Sequence, residues 1–107
     1  SFIPIDFKTR GFPIKADSAG YYQNQLDCIS LLLKENNYKN ADFAYLCFFY
    51  PMEADGNLVQ FGIEILRIKT DFKRAMKTLK DAVDLLKSNE PEPNPNCQFC
   101  KWRSGEK

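Results

Sequence analysis

The 107-residue chain reads as an α/β (α+β) domain, a small mixed sheet flanked by helices in the order β-α-β-β-α with a C-terminal tail. Three observations carry that reading. Strict apolar–polar alternation opens the chain, two apolar stretches joined by a turn signal fill its middle, and two segments of helical spacing flank them.

Over residues 2–9, Ile3, Ile5 and Phe7 alternate with Asp6 and Lys8. This predicts a strand with apolar groups on one face and the charged pair on the other. Residues 11–18 hold Gly11, Pro13 and Asp17-Ser18 and predict a loop. A helix is expected from Ser18 or Ala19 to Asn37, because Tyr22, Leu26, Ile29 and Leu33 step by three or four. Residues 41–50 are apolar on both parities, which predicts a strand covered on both faces and ended by Pro51. Asp55-Gly56 signals a turn, and Leu58–Lys69 is expected to return antiparallel. Thr70 is expected to cap a second helix reaching about Ser88. Its buried stripe would be Phe72, Ala75, Met76, Leu79, Ala82, Val83 and Leu86, with Lys73, Arg74, Lys77 and Lys80 outside. Residues 91–96 are rich in Pro and Asn and fit neither helix nor inner strand. Three strands make a thin sheet, so the first is expected to gain a neighbour from sequence upstream.

Hydrophobic residues make up 44% and charged residues 27%, the balance of an ordinary globular domain. The net charge of +1 excludes a uniformly basic nucleic-acid binder and leaves room for a local basic patch. No apolar run is long enough to span a bilayer and no signal-peptide pattern opens the chain, so a cytoplasmic protein with no membrane partner is expected. The chain has no histidine. That removes Ser-His-Asp and Cys-His catalysis and imidazole-based zinc sites, and leaves carboxylates, lysine, cysteine, tyrosine and backbone groups.

Asp6 and Lys8 are the first candidates for chemistry. A carboxylate and an ammonium on one face of an apolar strand are costly to bury without a task or partners. Asp6 offers an oxygen to a hard cation, and Lys8 can orient or deprotonate a water beside it. The plain alternative is an ion pair on an exposed strand face, and a bare Asp-x-Lys is too short to decide against it. Cys97 and Cys100 are the second pair. Their spacing delivers two thiolates to one metal, although zinc or an iron–sulfur cluster needs about four ligands. Cys28 and Cys47 read as small core residues. The alternative for the tail is a free thiol pair, with Phe99 and Trp102 packing it onto the body.

The run Ile3-Pro4-Ile5-Asp6-Phe7-Lys8-Thr9-Arg10-Gly11, followed by Tyr22-Gln23-Asn24-Gln25-Leu26 on a helix, resembles the PD-(D/E)XK nuclease superfamily, especially its RecB-like exonuclease branch. The aromatic strand ending at Tyr50-Pro51, Thr70-Asp71 at the last helix, and the Pro-rich tail with Cys97-x-Phe99-Cys100-x-Trp102 extend the likeness over the chain. The resemblance implies a partial restriction-endonuclease-like core over residues 1–90, with residues 91–107 as a Cys-x-x-Cys tail. It implies a nuclease that hydrolyses DNA with Mg²⁺ or Mn²⁺, in DNA repair or recombination in a prokaryote or phage. Asp6 and the backbone carbonyl of Phe7 would be metal ligands, Lys8 the catalytic lysine and Gln25 a helix glutamine directed at the site. Some members of the branch hold an iron–sulfur cluster with such a tail, which would involve Cys97 and Cys100. By chemistry and position, Thr9, Arg10 and Lys15 are candidates for phosphate contact.

Two departures stand against the pattern. Ile29 occupies the place where the family has a tyrosine, with Tyr21 or Tyr22 as substitutes. The family's aspartate on a preceding strand has no counterpart in this sequence. The isolated chain is therefore expected to be inactive, and to need the N-terminal part of the domain or a helicase or recombination partner. The alternative is a non-catalytic nuclease-fold module that binds DNA or a protein.

Overall fold

The computed structural model describes residues 1–15 and 17–105; Ala16, in the predicted loop, and the last two residues of the tail lie outside. Strand β1 (Ile5–Thr9) leads through a 3-10 turn (Ser18–Tyr22) into helix α1 (Gln23–Glu35). Strands β2 (Phe43–Asp55) and β3 (Leu58–Lys69) follow, then helix α2 (Phe72–Lys87) and the short helix α3 (Gln98–Arg103). The fold is mixed α and β, with one three-stranded sheet in the order β1-β2-β3.

Strand β1 runs parallel to β2, with Asp6 beside Leu46 and Lys8 beside Phe48. A parallel pair needs a crossover, and α1 provides it. Strand β3 returns antiparallel across a tight turn in which Gly56 takes φ +60°, a backbone state that glycine enters without a Cβ penalty. The core lies between the sheet and α1: Leu26, Ala44, Leu46 and Phe48 are fully buried, with Ile14, Tyr22, Ile29, Leu66 and Ile68 against them.

Five expectations change. The long helix opens as a 3-10 turn, and its α-helical part starts only at Gln23. Strand β2 passes through Pro51 to Asp55; the register shifts between Pro51 and Glu53, and such a bulge accommodates a residue with no N–H to give. The sheet is covered on one face, not both. Ile5, Phe7, Ile63 and Ile65 of the other face are each more than half exposed, although Cys47 between them is buried. Asp71, not Thr70, caps α2, its side chain accepting the N–H of Lys73; Thr70 is buried, and its hydroxyl has no hydrogen-bond partner. Of the predicted α2 stripe only Ala75 is buried, while Met76, Leu79, Val83 and Leu86 face solvent.

A buried anchor joins the two long helices. Asp27 of α1 accepts from the Asp71 N–H at 2.9 Å, from Gln23 Nε2 at 3.0 Å and from Arg74 Nε at 2.8 Å. Burial pushes its carboxyl pKa up, but the Arg74, Asp71 and Gln23 hydrogen bonds outweigh that and hold it below the ordinary value of 3.8. Gln23 also donates to the Lys69 carbonyl at 2.8 Å, tying α1 to the end of β3.

Candidate active site

The alternation of β1 sends its even-numbered side chains under α1 and its odd-numbered ones to the open face. Asp6 and Lys8 are therefore on the packed side of the sheet, level with Leu46 and Phe48. Their side chains keep 22% and 24% of their surface, so solvent reaches the pair. Lys8 Nζ lies 2.9 Å from Asp6 Oδ2 and donates to Gln25 Oε1 at 3.0 Å. It also sits 4.8 Å from the centre of the Tyr22 ring. Asp6 of β1, Gln25 of α1 and Tyr22 of the 3-10 turn thus converge on one ammonium group, with Tyr22 as its apolar wall.

Lys8 approaches Asp6 Oδ2 at ion-pair distance but off the direction of a hydrogen bond. That oxygen is buried and has no hydrogen-bond partner. The ion pair with Lys8 is what compensates its burial. Two backbone bonds fix how β1 presents its main chain: Tyr45 N–H to the Pro4 carbonyl and Arg10 N–H to the Phe49 carbonyl, both 2.9 Å. In a parallel ladder this parity directs the peptide groups of even residues to β2. Those of Ile3, Ile5, Phe7 and Thr9 then face the free edge of the sheet, and the Phe7 carbonyl is not used by β2.

These donors fit part of the shell of a hard divalent cation, one carboxylate oxygen and one carbonyl where about six oxygens are wanted. Among the described residues no group of three or more His, Cys, Asp or Glu side chains could hold a metal.

The phosphate candidates lie at the carboxyl end of β1. Thr9 is exposed. Arg10 is half-buried and hydrogen-bonds the Ser18 hydroxyl, which also accepts the Lys15 N–H at 3.1 Å. The Arg10 guanidinium lies 4.6 Å and Lys15 Nζ 5.3 Å from the centre of the Phe12 ring. Ser18 is thus the buried peg on which the loop after β1 hangs, a role the sequence reading missed. Its one signal was a serine at the end of a Gly/Pro loop, which any loop can carry. Ile29 packs against the core and offers the site nothing.

The tail stands apart from this cluster. Cys97 and Cys100 are free and half-buried at the start of α3, and the Cys100 N–H reaches Cys97 Sγ at 3.2 Å. A hydrogen bond from the Cys100 thiol, helped by the Cys100 N–H, holds the Cys97 thiol below its ordinary pKa, and the thiol–thiol hydrogen bond pushes Cys100 up. The alternative in which Phe99 and Trp102 pack the tail down is overturned, since their exposures are 83% and 79%. Cys47 is buried as expected, whereas Cys28 is only half-buried. A hollow of about 580 Å³ lies along the tail, bordered by Glu90, Glu92, Asn94, Cys100 and Arg103, away from Asp6 and Lys8.

Among the described residues no helix is long and apolar enough to cross a membrane. No protein-family model, curated protein or solved structure matches this chain.

Proposed function

We propose that this chain is part of a metal-dependent DNA nuclease of the PD-(D/E)XK type, with Asp6, Lys8 and Gln25 as its part of the active site. One observation carries the reading: Lys8 Nζ held between Asp6 Oδ2 at 2.9 Å and Gln25 Oε1 at 3.0 Å, on the packed side of β1. Asp6 Oδ2 and the Phe7 carbonyl are the oxygens that would hold Mg²⁺ or Mn²⁺, which supplies Lewis-acid activation of the scissile phosphate and of water. Gln25 fixes the Lys8 ammonium in place. Lys8 steadies negative charge developing on the phosphate oxygens and orients the attacking water. Thr9, at the end of the same strand, and Arg10 and Lys15, in the loop after it, are suited to neighbouring phosphates.

Two oxygens are too few for such a cation. The reading therefore requires a further segment or chain, the N-terminal part of the domain or a recombination partner, that brings carboxylates to the free edge of β1. The apolar residues Ile5, Phe7, Ile63 and Ile65 on the adjoining open face suit such a partner. The tail thiols Cys97 and Cys100 supply half of the ligands that an iron–sulfur cluster or zinc would need.

The test is Mg²⁺-dependent cleavage of linear DNA by the complete protein. Lys8→Ala is expected to lower the rate by about 10²–10⁴-fold, the usual contribution of a positioned proton-transfer group. Equal rates in the two proteins remove Lys8 from the mechanism. The short carboxylate count among the described residues favours a second reading, a nuclease-fold module that binds DNA or protein without cutting. It predicts metal-independent binding that Lys8→Ala weakens and Asp6→Asn does not.

A further inference from the structure

Cys97 is the N-cap of helix α3 (Gln98–Arg103), and Cys100 lies in its first turn. The Asn94 carbonyl accepts the Cys97 N–H at 2.9 Å, and Cys97 Sγ accepts the Cys100 N–H at 3.2 Å. The Cys100 thiol also donates to Cys97 Sγ, so the two sulfurs are already in hydrogen-bond contact. A disulfide needs an S–S bond of about 2.05 Å. From this contact side-chain rotation brings the sulfurs together, with the turn kept. Both thiols are half-buried rather than sealed, and Cys100 borders the open hollow of about 580 Å³ along the tail. A small molecule can therefore reach the pair.

The other two cysteines are placed differently. Cys47 is buried in β2. Cys28 lies on α1, its thiol directed at the Asn24 side chain at 3.9 Å. Among the described residues, Cys97 and Cys100 are the one pair of thiols joined by a hydrogen bond.

We infer that Cys97 and Cys100 form a dithiol–disulfide couple, which closes into an intrachain bridge by exchange with a low-molecular-weight disulfide such as oxidised glutathione. One thiol attacks a sulfur of the small disulfide and releases the first small thiol, leaving a mixed disulfide. The second thiol attacks the protein sulfur of that bond and releases the second small thiol. One S–S bond breaks and one forms at each step. The protein pair is oxidised by two electrons and the small disulfide is reduced by two. The two protein protons end on the released thiols. The second step is intramolecular between groups already in contact, which favours closure over accumulation of the mixed disulfide. A closed bridge takes both sulfurs out of metal ligation, so it is a fate of the tail distinct from a metal centre.

The full chain is reduced, kept in chelator, exposed to oxidised glutathione and quenched with acid. The tryptic peptide over residues 88–101, which contains both cysteines, is then weighed by mass spectrometry. The expected peptide has lost two hydrogens and carries no glutathione, and a dithiol reductant restores its original mass. Cys97→Ser and Cys100→Ser should each stop at the mixed disulfide, with one glutathione on the remaining cysteine of the tail. Lys8→Ala, in the proposed nuclease site, should close as the wild type does, so failure of that site and failure of the couple are separate results. A wild-type tail that stays reduced, that accumulates the mixed disulfide without closing, or that bridges to Cys28, Cys47 or a second chain would overturn the inference.

Discussion

Both faces of the sheet carry apolar residues, and only the packed one also carries a charged pair. The face under α1 carries the charged pair Asp6 and Lys8 beside Leu46 and Phe48, while the uncovered face carries Ile5, Phe7, Ile63 and Ile65. A half-solvated antiparallel sheet normally turns its apolar residues in and its polar residues out. Here burial of the polar pair needs compensation, which Gln25 and the Asp6–Lys8 contact provide in part. The open apolar face needs cover that no described element supplies. The first face holds the residues of the proposed site, and the second leaves apolar side chains open.

Substitutions that separate the faces range from severe to nearly silent. Phe48→Ala removes a fully buried ring from the packed face and should cost about 3–5 kcal/mol of stability, read from the urea midpoint. Asp27→Ala should cost about 2 kcal/mol, because it leaves the Asp71 N–H and the Arg74 guanidinium without their acceptor. The Asp27 carboxyl also makes a pH prediction. Its pKa is lowered in the folded state, so its stabilisation is present above the unfolded value and lost as pH falls through the folded one. Wild-type stability should therefore drop below about pH 4, and Asp27→Asn should lack that part of the decline. Gly62→Ala should cost about 1 kcal/mol, since the new methyl meets the Tyr50 ring at 2.5 Å and the ring must swing away from its bond to Glu64. Ile65→Lys, on the open face, should change the stability of the chain by less than about 0.5 kcal/mol. A loss as large as that of Phe48→Ala would show that this face is already covered.

The strands were legible to the extent that side-chain parity decides them. Alternation placed Asp6 and Lys8 on one face and Ile5 and Phe7 on the other, and Leu58–Lys69 formed a strand with those bounds. Parity states which residues share a face, but not which face another element will cover. The open side of the sheet and the exposed stripe of α2 were unreadable for that one reason. At the start of α2 two good capping residues stand in succession, and only the hydrogen bond to Lys73 N–H decides for Asp71. Pro51 misled because the bulge that accommodates it has no local signature. In the candidate site, Asp6 and Lys8 were readable from spacing. Gln25 was readable only through the family resemblance, because a glutamine on a helix ordinarily faces water. Asp27, which binds α1 to α2, gave no warning: its partner Arg74 is 47 residues away.

The outward peptide groups of Ile3, Ile5, Phe7 and Thr9 have a consequence for handling the protein. They form a short template whose donors and acceptors are satisfied by any extended chain that arrives, and the apolar side chains between them add grip. Proteins commonly guard such a rim with charge, whereas the charges of β1 point inward beneath α1. Concentrated, partnerless material should accordingly grow by strand addition at this rim, and a lysine in place of Phe7 should slow that growth while leaving the interior unchanged.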